Sequence, residues 1–259
     1  MAIKYTIQGI LIYTAIAAYL LAFIGQLLRL RRSSNVIFFL AFIISTASFL
    51  WRWVHTGHVP LQNLFELFIA MGAAVYLLSI ICEKYLGINQ RLIDSFIGVI
   101  ILFPAGFVFS EAPQKLPPAL QSVFFVPHVA VYLFAYILMF KAAAAAVKTF
   151  KRIPEQLQNE DCAYRLVCFG FPLLTSGLVL GSIWAHYVWG CFWGFDPKEQ
   201  WSLVTWLIYV GYFHFRFMFG RKYPRANSIW ILSGFAAVLI TLLWANLSRI
   251  FAGLHSYAI

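Results

Sequence analysis

A tryptophan-rich stretch contains the residue types best suited to chemistry. Residues 189–201 read Trp-Gly-Cys-Phe-Trp-Gly-Phe-Asp-Pro-Lys-Glu-Gln-Trp and lie between two long apolar runs. Aromatic faces with glycine clearance at a membrane boundary suit a flat apolar ligand that has a polar edge. A membrane-interface belt is the alternative, because Trp is enriched at such interfaces. Two Trp-Gly pairs flanking a charged turn favour a binding site over a belt.

Histidines supply the second chemical element of this sequence. Imidazole is an iron ligand, and two imidazoles on opposite sides would ligate haem axially. Zinc is the competing metal, but it requires three or four closely spaced ligands, and only one close His pair exists. The four Cys form no CxxC pair, and haem accounts for the Trp surface, which zinc does not. The six histidines are His55, His58, His128, His186, His214 and His255.

Composition assigns the chain to the membrane. Hydrophobic residues make up 62% of the 259 residues and charged residues only 11%, whereas soluble domains are about a quarter charged. The apolar residues come in blocks long enough to cross a bilayer. We therefore predict an all-α, polytopic membrane protein that forms a single integral membrane domain over residues 1–259. The net charge of +10 does not indicate nucleic acid, because the basic residues cluster in alternate loops.

About eight transmembrane helices are predicted from the apolar runs, separated by short links that contain helix breakers. Their expected ranges are 5–28, 36–54, 61–82, 92–110, 123–149, 165–188, 198–219 and 228–250.

Lys and Arg set the expected orientation. The loops that follow odd-numbered helices contain fourteen of these residues and the opposite side contains five. The positive-inside rule then places the first set in the cytoplasm. Both termini and the tryptophan-rich stretch are expected outside.

Helix seven has a clear start signal. Asp196 is a suitable N-cap, Pro197 fits the first helical position, and Glu199 stands three residues after the cap. Part of the charge in the tryptophan-rich stretch is thereby explained by capping, and the capping role is an equal alternative to a role in ligand binding.

The topology sorts the candidate ligands by depth. His128 lies just inside the outer end of helix five, and His255 follows helix eight on the same side. His214 comes 18 residues after Asp196, which is ~27 Å along a helix and therefore deep in the membrane. An ionisable residue at that depth favours a functional role, although a hydrogen-bonded packing residue is as plausible for a lone His.

Cations on the outer side are candidates for haem propionates. They are Arg52, Lys198 and Arg249. Arg52 could equally form an ion pair with Glu66, which has a similar depth.

These residues together resemble a known family. The stretch 189–209 is similar to the "WWD" signature of haem-handling proteins, and in particular to the CcsA/ResC type (CcsB in some bacteria) of cytochrome c biogenesis system II. Three further elements agree with that family, in family order: Pro60-Leu-Gln-Asn-Leu-Phe-Glu66, Val126-Pro-His128, and Gly253-Leu-His-Ser-Tyr-Ala258. The resemblance covers residues 60 to 259.

The resemblance implies roles for individual residues. His128 and His255 would be axial ligands of the iron of an outward-facing haem b, and His214 would ligate an inner haem together with a His of another subunit. The haem would lie on a Trp surface beside Asp196, with Arg52 and Arg249 as polar contacts; the Trp residues are Trp189, Trp193 and Trp201. The family assigns no ligand role to His55, His58 or His186.

The implied activity is that of a cytochrome c synthase subunit. The chain would export haem and present it for thioether attachment to a CxxCH apocytochrome c, acting with a ResB/CcsB-type membrane subunit. No catalytic acid or base stands out. A haem transporter or chaperone without ligation activity is the alternative, and a bis-haem electron carrier is disfavoured by the single deep His. The expected location is the bacterial cytoplasmic membrane, with the thylakoid membrane as alternative.

Overall fold

The computed structural model describes residues 3–150 and 155–244, and this part of the chain is helical without strands. A 3-10 turn spans Pro118–Gln121, and a π-helical turn, Ile240–Trp244, continues the last helix. The predicted all-α fold with eight helices is confirmed. The helices are α1 (Ile7–Leu27), α2 (Arg31–Thr56), α3 (Leu64–Leu86), α4 (Arg91–Phe107), α5 (Phe125–Lys148), α6 (Glu155–Trp189), α7 (Pro197–Phe219) and α8 (Pro224–Leu239).

Six helices in the described ranges are long and apolar enough to cross a membrane. They are α1, α2, α3, α5, α6 and α8 with its π turn. Helix α4 has only 17 residues. Helix α7 has 23 residues, but polar side chains such as Ser202, His214 and Arg216 replace aliphatic ones. The chain is a multi-pass membrane protein.

The largest difference from the predicted helix bounds is at the start of α6. The helix begins at Glu155, ten residues before the expected start at 165. Hydropathy detects only the apolar part of a helix, and residues 155–164 are mostly polar. They remain helical because Gln156, Glu160 and Ala163 form a buried face. The predicted end of helix eight lies outside the described residues.

The chain folds as two compact units, residues 1–120 and residues 121–259, which are described separately. The single domain expected from the sequence stays a prediction.

A buried ion pair organises one end of the first unit, which contains α1 to α4, at the point where α2 ends and α3 begins. Arg52 and Glu66 are 3% and 1% exposed at their side chains, and their closest nitrogen and oxygen atoms are 2.9 Å apart. The second Glu66 oxygen accepts the backbone N–H of Gln62 at 2.9 Å, and Arg52 donates to the carbonyl of Glu111 at 2.6 Å. The pairing of Arg52 with Glu66 that the sequence suggested is confirmed.

Lys4 secures the end of α4 in the same unit. Its amine donates to the carbonyl oxygens of Ala105 at 2.9 Å and Gly106 at 2.8 Å, which belong to the last turn of that helix. Burial lowers the pKa of the Lys4 amine, and the Glu111 carboxylate acts against that shift. A cation at a helix C-terminus interacts favourably with the helix dipole.

We expect Arg52→Ala to destabilise the chain by about 3–5 kcal/mol, because it leaves the buried Glu66 carboxylate uncompensated. Reversible unfolding of the purified chain in detergent measures this loss. Arg91→Ala is the matched control, since it breaks an Arg91–Glu83 pair of 2.7 Å whose side chains are 24% and 34% exposed. That pair is expected to contribute at most about 1 kcal/mol. Equal losses in the two variants would contradict the prediction.

Close helix packing defines the second unit. Helices α5 and α6 approach where glycines of α6 face large side chains of α5: a Cβ at Gly177 would lie 2.8 Å from the Tyr132 ring. Helices α7 and α8 also approach at a glycine, because a Cβ at Gly234 on α8 would lie 2.6 Å from the Tyr209 ring on α7. Small residues at such positions let transmembrane helices approach closely. The α5–α6 pair fixes the position of His128, and α7 presents His214.

Candidate functional site

The tryptophan-rich stretch forms the turn between α6 and α7. Trp189 is the last residue of α6, and Gly190 leaves the helix with φ of 78°, a left-handed conformation that favours glycine. Helix α7 starts as the sequence predicted: Asp196 is the N-cap, Pro197 is the first helical residue, and Asp196 and Glu199 form a capping box.

Glu199 also holds the loop that precedes the cap. One of its carboxylate oxygens accepts the N–H of Gly194 at 2.8 Å and of Asp196 at 3.2 Å. These bonds bracket Phe195, whose φ of 55° is unusual for a residue with a side chain and whose ring is 72% exposed. The Gln200 side chain donates to the Phe195 carbonyl. The loop is therefore a defined structure that displays an aromatic ring.

We expect Glu199→Ala to release this loop while leaving α7 in place, because Asp196 still accepts the Lys198 N–H at 2.8 Å. The cost in stability should be about 0.5–2 kcal/mol, as for other lost caps. Amide hydrogen exchange should accelerate at Gly194 and Asp196. Unchanged exchange at both amides would contradict this role of Glu199.

His128 is the sequence-predicted ligand with the most defined surroundings. It lies in the first turns of α5, and its Nδ1 is 2.8 Å from the carbonyl oxygen of Gly177 on α6. Its ring stacks on Trp184, with centroids 5.8 Å apart and an interplanar angle of 18°. Trp184 in turn meets Trp189 edge to face at 4.8 Å. His128 is thus joined to the start of the tryptophan-rich stretch through Trp184.

Gly181 provides the space that the His128 ring occupies. A Cβ at Gly181 would lie 2.5 Å from Cε1 and 2.9 Å from Nδ1 of that ring. No side chain fits there unless the imidazole moves.

The hydrogen bond to Gly177 determines which nitrogen of His128 suits a metal. A carbonyl oxygen only accepts, so Nδ1 carries the proton and Nε2 carries the lone pair. Histidines that bind metals commonly donate their other ring N–H to a backbone carbonyl, which fixes the tautomer and the ring direction. A ring that stacks on Trp and is oriented through Nδ1 fits an axial ligand of haem iron.

His214 on α7 also has its Nδ1 in contact with a backbone carbonyl. Its Nδ1 is 2.8 Å from the carbonyl oxygen of Val210, one turn earlier in the same helix. Helix α7 runs without interruption from Pro197 to Phe219, which is the condition for placing His214 ~27 Å along the helix from Asp196. The imidazole is exposed on the surface of the described chain. Its Nε2 is therefore directed by the helix and accessible from outside it.

The remaining aromatic candidates fall into separate contacts. Trp201 meets Trp244 of the π turn edge to face at 6.3 Å. Trp193 is half-buried in the loop. The structure groups Trp189 with His128 through Trp184; the predicted common surface of Trp189, Trp193 and Trp201 stays a prediction.

The predicted site roles of three other residues stay predictions. Arg52 belongs to the first unit, where it pairs with Glu66, and its role as a propionate contact stays a prediction. His255 and Arg249 lie outside the described residues.

The histidines without a predicted role each have an aromatic or backbone contact. His186 stacks on Phe192 at 4.1 Å, and the ring of His55 lies parallel to that of Trp51 at 6.2 Å. Nδ1 of His58 is 3.1 Å from the carbonyl oxygen of Val59.

Trp184, Gly177 and Gly181 are site residues that the sequence analysis did not select. The signal was present: positions 177, 181 and 184 follow the i, i+4, i+7 spacing of one helix face. The spacing alone does not show that α5 packs on that face of α6, and so it does not single out these residues.

The fold and the site define a multi-pass helical membrane protein with a histidine held against tryptophans beside an aromatic turn. The chain belongs to the cytochrome c assembly protein family, whose sequence profile matches residues 61–252, from α3 past the π turn.

Relatives of the same type are found in algae and cyanobacteria. The chain is 32% identical to the cytochrome c biogenesis protein CcsA of Chlamydomonas reinhardtii over 80% of its length, and it covers 63% of that protein. It is 31% identical to CcsA of Guillardia theta, covering 80% of this chain and 79% of the relative. It is 29% identical to CcsA of Prochlorococcus marinus strain MIT 9312, covering 96% and 93%. The family gives this chain a role in cytochrome c maturation, and hence in handling haem.

Proposed function

We propose that this chain is the haem-presenting subunit of a cytochrome c synthase, with His128 as an axial ligand of haem b at the outer turn. The observation that carries the proposal is the bond from His128 Nδ1 to the Gly177 carbonyl, together with the stack on Trp184. Both fix the direction of Nε2. His255 supplies the opposite ligand in this proposal.

The path of haem follows from the two histidines. Haem enters from the cytoplasmic side and is held by His214 and by a histidine of a ResB/CcsB-type subunit. The exposure of His214 on α7 supports a second ligand that comes from outside this chain. Haem then passes to the outer turn, where Trp189, Trp193 and Trp201 provide apolar faces, and Arg52 and Arg249 are proposed propionate contacts.

The reaction at the outer turn is addition of two thiols of a CxxCH apocytochrome c to the two haem vinyl groups. In each addition an S–H bond breaks, a C–S bond forms at the vinyl carbon next to the ring, and the proton goes to the terminal vinyl carbon. No electrons are gained or lost. The protein orients both reactants and excludes water, and these contributions need no protein acid or base.

The location follows from the topology and the relatives. We propose the bacterial cytoplasmic membrane or the thylakoid membrane, since both have an outer face on which this turn would meet apocytochromes. The relatives from an alga and a cyanobacterium support either membrane.

Production of the chain with a CxxCH apocytochrome, with and without a ResB/CcsB-type subunit, tests the proposal. Covalent cytochrome c is expected only when both membrane proteins are present. Maturation by this chain alone would contradict the two-subunit arrangement. Haem binding without maturation, with the subunit supplied, would favour a haem transporter or chaperone.

A further inference from the structure

An ionic cluster, here called the inner cluster, joins α6, α7 and α8 at the end opposite to the tryptophan-rich turn. Glu160, fully buried, accepts hydrogen bonds from Arg216 at 3.2 Å and from Asn227 at 2.9 Å. Asp161 pairs with Arg216 at 3.2 Å and with Arg221 at 2.6 Å. These five residues connect the polar start of α6 to the last turn of α7 and the first turn of α8.

Arg216 is the centre of the inner cluster. Its side chain is 10% exposed, and its guanidinium carbon lies 3.8 Å from the centroid of the Tyr164 ring. Asn227 also donates to the carbonyl of Gly220, the C-cap residue of α7, at 3.0 Å. Groups from both neighbouring helices thereby fix the end of α7, both its rotation about the helix axis and its position along that axis.

Stability alone is a weak explanation for such a cluster. Removing charges from water costs several kcal/mol per ion, and well-packed apolar residues are often as stabilising as a buried ion pair. In some proteins a buried ionic network selects one arrangement among several similar ones. Applied to this cluster, the arrangement to be selected would be the rotation of α7 about its own axis.

That rotation determines where the His214 imidazole points. His214 precedes Arg216 by two residues, about 200° around the helix, so the imidazole and the inner cluster lie on opposite sides of α7. The bond from Nδ1 to Val210 ties the ring to its own helix. Turning α7 by about 20° would move a side chain at the helix surface by about 2 Å, whereas a metal–ligand distance tolerates about 0.2 Å.

We propose that Glu160 and Arg216 are positioning residues for His214, holding α7 at the rotation at which the imidazole can ligate haem iron. This inference rests on the proposed role of His214 as an inner haem ligand and adds the residues that set its geometry.

Haemin titration of the purified full chain tests the proposal. Haemin binding through His214 is measured in a parent chain that carries His128→Ala and His255→Ala, which remove the proposed outer ligands. Imidazole in solution serves as the second axial ligand. Glu160→Gln keeps the volume and removes the charge. Arg216→Lys keeps the charge but loses the planar fork and the stack on Tyr164. Each is expected to weaken haemin binding about tenfold, the lower end of the effect of groups that orient a metal ligand.

Two controls separate positioning from general stability. Arg91→Ala breaks the Arg91–Glu83 pair of the first unit, whose side chains are 24% and 34% exposed, and should leave haemin affinity unchanged. In a His214→Ala chain that retains His128 and His255, Glu160→Gln should leave outer-site binding unchanged.

The outcomes distinguish the inference from the function on which it rests. A tenfold loss of haemin affinity that occurs only in the chain that binds through His214 supports the positioning role of Glu160 and Arg216. Unchanged affinity in Glu160→Gln and Arg216→Lys overturns it and leaves His214 as a ligand; equal losses at both sites also overturn it. If His214→Ala does not weaken binding in the parent, the inner-ligand proposal fails, and the positioning role fails with it.

Discussion

Replacing His128 with Gly is expected to reduce cytochrome c maturation at least about 100-fold, because loss of a ligand costs at least as much as loss of the group that orients it. The cavity left by the imidazole is bounded by Trp184 and Gly181, so free imidazole has a place to bind. Added imidazole should restore part of the activity. The measurement is the amount of covalent cytochrome c produced with the partner subunit present.

His186→Gly is the matched control for this experiment. His186 lies in the last turn of α6, beside the tryptophan-rich stretch, but it is exposed and stacks on Phe192 instead of being oriented by a backbone carbonyl. We expect maturation within about twofold of the parent, since exposed substitutions are usually close to neutral. Normal maturation by His128→Gly, or an equal loss in His186→Gly, would contradict the assignment of His128.

Gly181→Ala is expected to impair haem binding nearly as strongly as His128→Gly, although it removes no ligand. The added methyl would lie 2.5 Å from Cε1 of His128, so the ring must move and give up the 2.8 Å bond to Gly177. We expect haem affinity to fall about 10- to 100-fold, the range for loss of a group that orients a ligand. Imidazole should not rescue this variant, because the displaced ring still fills the space.

Gly234→Ala controls for the packing damage in Gly181→Ala. Its added methyl would lie 2.6 Å from the Tyr209 ring, a comparable clash in the same unit but between α7 and α8. Both variants should lose about 1–3 kcal/mol of stability through overpacking. Only Gly181→Ala should lose haem at the outer turn. If imidazole rescues Gly181→Ala, the His128 ring does not block the space for a ligand, and this explanation of the variant is wrong.

Local signals accounted for most of the fold. Apolar runs located eight helices, and the start of α7 was readable from Asp196 to Glu199 because capping depends only on neighbouring residues. The start of α6 was missed because a polar helical extension has no hydropathy signal, and its buried face depends on packing against other helices. The inner cluster was missed for the same reason: Glu160 and Arg216 are 56 residues apart in sequence.

The candidate site was predicted only in part. Trp residues and histidines were visible as types, and His128 was selected because of a family resemblance. Its orientation depends on contacts with Gly177, Gly181 and Trp184, which belong to another helix. The pairing of Arg52 with Glu66 was one of two alternatives that charge and depth allowed, and only the packed unit could decide between them.

The role of His128 in haem attachment is tested most directly by following haem through one reaction. The chain and a ResB/CcsB-type subunit are purified together with haem bound, reduced, and mixed with a reduced CxxCH peptide; the haem that remains attached to the peptide after denaturation is then measured. We expect thioether-bound haem with the parent complex and none with His128→Gly unless imidazole is added. Equal attachment by the parent and by His128→Gly without imidazole would contradict it.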